Sequence, residues 1–232
     1  MSKEVKRIRK IKESLDTNKV YTIEEAVKVL MANSKLKFPE TLDVAVKLGV
    51  NPQHSDQIVR GVVQLPHGTG KTVRIAVFAR GDKAAEATAA GADVVGAEDL
   101  VEAIEKGEIN FDKCIATPDM MALLGRVAKI LGPKGMMPNA KLGSVTLNIK
   151  AAVEASKAGQ VEFRAEKAGI VHAGLGKLNF KEDALVENAK VFFDALAKAK
   201  PTGAKGAYFV RASLSSTMGV GLKLDLSSVV KL

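Results

Sequence analysis

Apolar positions along this chain change period more than once, and the changes divide it into segments. Val5, Ile8 and Ile11, set among Lys6, Arg7, Arg9, Lys10 and Lys12, have a spacing compatible with a basic helix over residues 3–15. Thr22-Ile23-Glu24-Glu25 is a capping box: the Thr22 hydroxyl serves the Glu25 amide and the Glu25 carboxylate reaches back. It predicts a helix to about residue 33 that buries Ile23, Ala26, Val27 and Leu30. Residues 42–48, Leu-Asp-Val-Ala-Val-Lys-Leu, largely alternate and predict a strand with one covered face. Residues 59–65 predict a second strand, ended by Pro66.

From residue 71 to about 158 the texture differs. Residues 73–79 form a nearly continuous apolar run, as expected for a parallel strand buried on both faces. Helices over 83–90, 98–106 and 119–131 alternate with strands over 93–95 and 113–117, and a last helix spans 149–157. Such alternation predicts a small parallel sheet with helices on its faces. After Gly159 the first texture returns. Residues 161–165 and 170–173 predict a hairpin around Ala168-Gly169. A helix over 181–198 carries Leu185, Ala189, Phe192, Phe193 and Leu196 on one face, and Pro201 forbids its continuation. Strands over 207–214 and 220–226 are joined by Ser215-Ser216-Thr217-Met218-Gly219. The fold class is α/β. The residues leave two arrangements open: a middle domain inserted into one built from both chain ends, or two consecutive domains.

Charge changes this picture by giving the segments different roles. The chain carries 35 basic and 26 acidic residues, a net +9. Residues 1–66 and 160–232 each hold a net +4, whereas residues 67–159 hold +1. The flanks therefore suit a polyanionic partner, nucleic acid first among them. Aromatic residues are only 4% with no tryptophan, which argues against a base-stacking platform for single strands. One cysteine excludes an internal disulfide and a multi-cysteine metal site. His54, His67 and His172 lack ligand spacing, and the carboxylates read as solvated helix faces. Cys114 sits in an apolar strand and reads as a structural thiol. No apolar run approaches the roughly 18 residues of a membrane span. The expectation is a cytoplasmic protein without cofactor, metal or membrane partner.

Four motifs carry the candidate chemistry. Residues 131–141, with two glycines, two prolines and two lysines, predict a shaped, basic, exposed loop. His67-Gly68-Thr69-Gly70-Lys71-Thr72 superficially suggests a phosphate-binding loop, but position 65 is leucine where that motif needs glycine, and a strand follows instead of a helix. This weighs against an α/β nucleotide-hydrolysing enzyme, the alternative class. The segment remains either a glycine hinge or a backbone contact for nucleic-acid phosphates, with Lys71. In Lys35-Leu36-Lys37-Phe38-Pro39-Glu40-Thr41 an aromatic lies between basic residues, and Phe38 is either a core plug or a surface for sugar or base. Thr217-Met218-Gly219 joins a hydroxyl, a long apolar side chain and a glycine between two strands. It suits close approach to a partner, or is a plain hairpin turn with Met218 in the core.

These residues resemble the bacterial ribosomal protein L1 family over the full length. The resemblance rests on Thr22-Ile23-Glu24-Glu25-Ala26, Ser55-Asp56-Gln57 with Val59-Arg60-Gly61, Leu65-Pro66-His67-Gly68-Thr69-Gly70, the 131–139 loop and Thr217-Met218-Gly219. Departures are mild: Asn139-Ala140-Lys141 where a second proline is usual, Met136-Met137 where leucine is frequent, and Glu166 where aspartate is frequent. The resemblance implies a discontinuous α+β RNA-binding domain, residues 1–66 plus 160–232. It also implies an inserted Rossmann-like three-layer α/β domain with a parallel sheet, residues 67–159. It further implies a structural, non-enzymatic protein, monomeric when free, that binds large-subunit rRNA at the mobile stalk. Release of deacylated tRNA from the exit site and repression of its own operon mRNA are the linked activities implied. The implied RNA-facing residues are Lys37, Phe38, Thr41, Lys167, Gly169, His172, Ser215, Thr217, Met218 and Gly219.

Overall fold

The computed structural model describes residues 6–15, 19–34 and 36–229; Val5 of the predicted first helix lies outside them. The chain divides into two compact units, Met1–Gly70 with Val161–Leu232, and Lys71–Gln160. The first unit opens with α1 (Lys6–Ser14), β1 (Val20–Tyr21), α2 (Ile23–Asn33), β2 (Thr41–Leu48) and β3 (Arg60–Gln64). The Thr22 hydroxyl accepts the Glu25 N–H at 3.3 Å, so α2 starts where its capping box predicts.

The second unit contains β4 (Ile75–Phe78), α3 (Asp82–Ala89), β5 (Val94–Gly96), α4 (Glu98–Glu105), β6 (Lys113–Ala116), α5 (Met121–Leu131) and α6 (Ile149–Lys157). Its sheet is parallel, in the order β5-β4-β6. All four residues of β4 are buried, because alternate side chains serve opposite faces. Ala76 and Phe78 join Leu100, Val101 and Ile104 of α4 and Leu124, Val127 and Leu131 of α5. Ile75 and Val77 join Ala87 of α3 and Ile149 and Val153 of α6. The predicted strand at 73–79 is shorter because Asp112 occupies the Arg74 backbone. The Asp112 carboxylate accepts the Arg74 N–H at 3.0 Å, and the Asp112 N–H donates to the Arg74 carbonyl at 2.8 Å. Burial pushes the Cys114 thiol up to about 12, consistent with an unreactive structural residue.

The chain completes the first unit with β7 (Gln160–Arg164), β8 (Ile170–Lys177), α7 (Glu182–Lys198), β9 (Phe209–Ser216), β10 (Leu222–Leu224) and α8 (Leu226–Val229). Its main sheet has the order β1-β10-β9-β2-β8. β2 is antiparallel to both of its neighbours, and β1 lies parallel to β10. The turn at Ala168-Gly169 forms, but its arms do not make the predicted hairpin. Only an Ala165–Val171 bridge joins them; β7 pairs with β3 in a separate two-stranded sheet, and β8 pairs with β2. Both arms are half-apolar, so their sequences could not show which partner each takes. Helices α2 and α7 cover one face of the main sheet. Leu42, Val44, Val46 and Leu48 of β2 point into that layer with Leu30, Phe192 and Phe193. The ring of Phe163 meets that of Phe192 edge-on, with centroids 5.8 Å apart.

Candidate nucleic-acid interface

Alternation in β2 leaves Thr41, Asp43, Ala45 and Lys47 on the face away from the helices. Across the ladder from Asp43 and Ala45 stand Ser215 and Ser213 of β9, and across from Lys47 stands Arg211. On the other side His172 of β8 is opposite Ala45, and Lys177 is opposite Thr41. Lys47, His172, Arg211 and Lys223 are exposed. This outer face is therefore polar and rich in cations.

At one end of it, β9 turns over Ser216-Thr217-Met218-Gly219. The Gly219 N–H donates to the Ser216 carbonyl at 3.0 Å, closing a β-turn. The Thr41 N–H donates to the Thr217 hydroxyl oxygen at 2.8 Å, and the Thr217 N–H donates to the Thr41 carbonyl at 3.1 Å. The turn is thus continuous with the ladder and inherits its rigidity. Met218 is 52% exposed and Phe38 is 48% exposed, so neither is the core residue that sequence left as one alternative. Lys37 is exposed beside Phe38 in the chain. The Lys177 ammonium donates to the Thr41 hydroxyl at 3.0 Å and to the Pro39 carbonyl at 3.3 Å, which ties this approach segment to the strand.

Beneath the turn lies Glu40, buried at 1% exposure. Its carboxylate accepts the Ser34 hydroxyl at 2.6 Å, the Ser216 hydroxyl at 3.2 Å and the Met218 N–H at 2.9 Å. The Arg7 guanidinium donates to the Met218 carbonyl. Burial alone would raise the Glu40 carboxyl. The bonds from Ser34, Met218 and Ser216, with the nearby charge of Arg7, outweigh burial and hold it below the usual carboxylate range. Glu40 is accordingly ionised at neutral pH. The sequence reading missed Glu40, Ser34, Ser216, Lys177 and Arg7. A signal existed for the first: Glu40 shares the inward register of Leu42 and Val44, where a carboxylate requires partners.

The structure does not bring all ten sequence candidates together. Lys37, Phe38, Thr41, Ser215, Thr217, Met218 and Gly219 gather at the start of β2 and the end of β9. Lys167 and Gly169 lie beyond the opposite end of the ladder, where the Leu48 N–H donates to the Gly169 carbonyl at 2.8 Å. Thr41 and Lys47 are six steps apart along the strand, about 20 Å at a rise of about 3.4 Å per residue. His172 lies between these ends on the outer face, with Nε2 3.9 Å from the Glu166 carboxylate. Gly169 has φ +73°, and an added Cβ would lie 3.0 Å from the Val50 carbonyl oxygen. Its glycine is therefore required by the turn itself.

Residues 30–220 match the ribosomal protein L1p/L10e family. The chain belongs to this family. It is a ribosome-associated, rRNA-binding constituent of the large subunit, in a family of structural proteins rather than enzymes. Among the described residues, no helix is long and apolar enough to cross a membrane.

Two other motifs are modified by their surroundings. The His67 N–H donates to the Asn188 side-chain oxygen at 3.2 Å and the Gly68 N–H to the Leu65 carbonyl at 3.1 Å. These two amides are thus committed internally and do not form an open phosphate cradle. Asn188, fully buried, also donates to the carbonyls of Gly68 and Leu175. In the 131–141 loop, Lys134 and Lys141 are exposed as expected, but Met136 and Met137 pack partly against the second unit's core and Pro138 is buried. The loop is therefore anchored along its middle rather than exposed throughout.

Proposed function

We propose that this protein binds large-subunit rRNA at the mobile stalk through the end of the main sheet formed by Lys37, Phe38, Thr41, Ser215, Thr217, Met218 and Gly219. The observation that carries this reading is the Ser216–Gly219 turn: it is joined to Thr41 by three hydrogen bonds, yet presents Met218 outward beside an exposed basic-aromatic segment. Folded RNA is recognised by shape and 2′-hydroxyls, which favours a rigid surface of donors and apolar contacts over a flexible tail. His172, Lys167 and Gly169 form a second, separate contact toward the other end of the same sheet. The protein acts as a monomer when free. Its two compact units are separate domains, the basic terminal one carrying the RNA site and the inserted one carrying little of it. The same site accepts a similar structure in the protein's own operon mRNA, so excess free protein represses its own translation. In the ribosome the bound stalk assists release of deacylated tRNA from the exit site.

The electrostatic part is tested by filter binding of a stalk rRNA fragment across a salt series. Lys37→Ala should weaken binding and reduce the slope of log affinity against log salt by about one unit. An affinity of the intact protein that does not change with salt would remove phosphate contact as the main term.

A further inference from the structure

We propose that Glu40 is the positioning residue of the RNA-facing turn, holding Met218 and Ser216 from inside so that the turn meets RNA in a single geometry. This inference rests on the reading of Thr217 and Met218 as RNA contacts.

Three observations converge on it. First, Glu40 lies inward among Leu42 and Val44, where a carboxylate is costly unless hydrogen bonds surround it. Its three partners come from three places in the sequence: Ser34 beyond α2, Ser216 at the end of β9, and Met218 in the turn. Two of the three donors thus belong to the turn. Second, Met218 is gripped at both of its backbone polar groups by opposite charges, its N–H by Glu40 and its carbonyl by Arg7 of α1. Charge-assisted bonds are stronger than neutral ones, so this grip restricts the one exposed residue of the turn with a long, flexible side chain. Third, Gly219 is not among the glycines with positive φ. An added Cβ there would lie 2.1 Å from the Ser216 hydroxyl oxygen. A side chain at 219 would therefore push Ser216 away from Glu40. In the sequence Gly219 suits either close approach to a partner or a plain turn; its geometry assigns it to the carboxylate beneath.

Glu40 is enclosed and does not itself touch RNA. It acts by limiting the conformations that Thr217 and Met218 would otherwise sample before binding, and preordering of this kind raises affinity without adding a contact. A residue that merely stabilised the fold would affect binding independently of Thr217. A residue that positions the turn would not, because both changes disable one device.

The test is a double-mutant cycle in the full-length protein, read by filter binding to a stalk rRNA fragment and by amide hydrogen exchange. Glu40→Gln keeps the size and one acceptor oxygen but removes the charge. It should lower rRNA affinity about tenfold or more and speed exchange at the Met218 N–H, leaving exchange in β4 unchanged. Adding Thr217→Ala to Glu40→Gln should cause no further loss beyond the worse single variant. Multiplying losses, or wild-type binding by Glu40→Gln with unchanged exchange at Met218, would overturn the inference. If Glu40→Gln fails to fold, Ser216→Ala makes the same demand, because it removes one donor and keeps the carboxylate: lower affinity and no added loss with Thr217→Ala support the proposal, and multiplying losses or unchanged affinity reject it. The underlying reading fails separately: in that case Thr217→Ala and Met218→Ala would both bind as wild type.

Discussion

Thr217→Ala is expected to weaken binding to a stalk rRNA fragment by about 1–3 kcal/mol, roughly five- to 150-fold. The Thr217 oxygen accepts the Thr41 N–H at 2.8 Å, which fixes where the hydroxyl sits; its own proton faces the Thr41 carbonyl at 3.5 Å, a bond long enough to be exchanged for one to RNA. Removing the hydroxyl leaves the RNA partner unsatisfied at a closed interface and also withdraws an acceptor from β2. The bond to Thr41 extends the effect to folding: Thr217→Ala should also cost about 0.5–1.5 kcal/mol of stability, the usual worth of a neutral hydrogen bond. Thr217→Ser keeps the hydroxyl and should restore most of both. Filter binding and urea unfolding of the three proteins check this. Equal affinity for Thr217→Ala and wild type, or a serine variant as poor as alanine, would show that the hydroxyl makes no RNA contact.

Separating the units should give an all-or-none contrast in RNA binding. A chain joining residues 6–70 to 161–229 through a short linker should fold and retain most of the affinity of the intact protein. Residues 71–160 alone should fold and show no measurable binding to the stalk fragment. The flanks hold nearly all of the net charge, and each unit encloses its own apolar core. The join must keep Gly70, because a Cβ there would lie 2.9 Å from the Phe180 ring. That glycine belongs to the first unit although it closes the motif from which the second begins. Circular dichroism establishes folding before binding is measured. A folded terminal unit that does not bind, or an isolated 71–160 unit that does, would reverse the assignment of the RNA site.

Much of the fold was legible because local patterns and tertiary demands agree. The capping box placed the start of α2, and the apolar stripe of α7 named its buried face, including Phe192 and Phe193. Continuous burial of β4 followed from an unbroken apolar run. What escaped depends on partners distant in sequence. The two-residue β1 is too short to show a period, and exists because Val20 and Tyr21 lie beside Lys223 and Leu224. The pairing of β7 with β3 instead of β8 is a choice between surfaces, invisible in either strand. In the candidate site, sequence reading left Phe38 and Met218 open between core and surface, and both are exposed. It missed the layer beneath because Ser34, Glu40 and Ser216 each look ordinary alone. They become a network only when β2 and β9 are paired.

On the proposed reading, RNA meets the protein at the rigid turn and the segment beside it. Amide hydrogen exchange of the full-length protein, with and without the stalk rRNA fragment, decides whether it does. The predicted result is slowed exchange concentrated at residues 37–41 and 216–219, with weaker slowing at 167–172. Unchanged exchange at 216–219, with protection confined to the 131–141 loop, would place the RNA elsewhere on the protein.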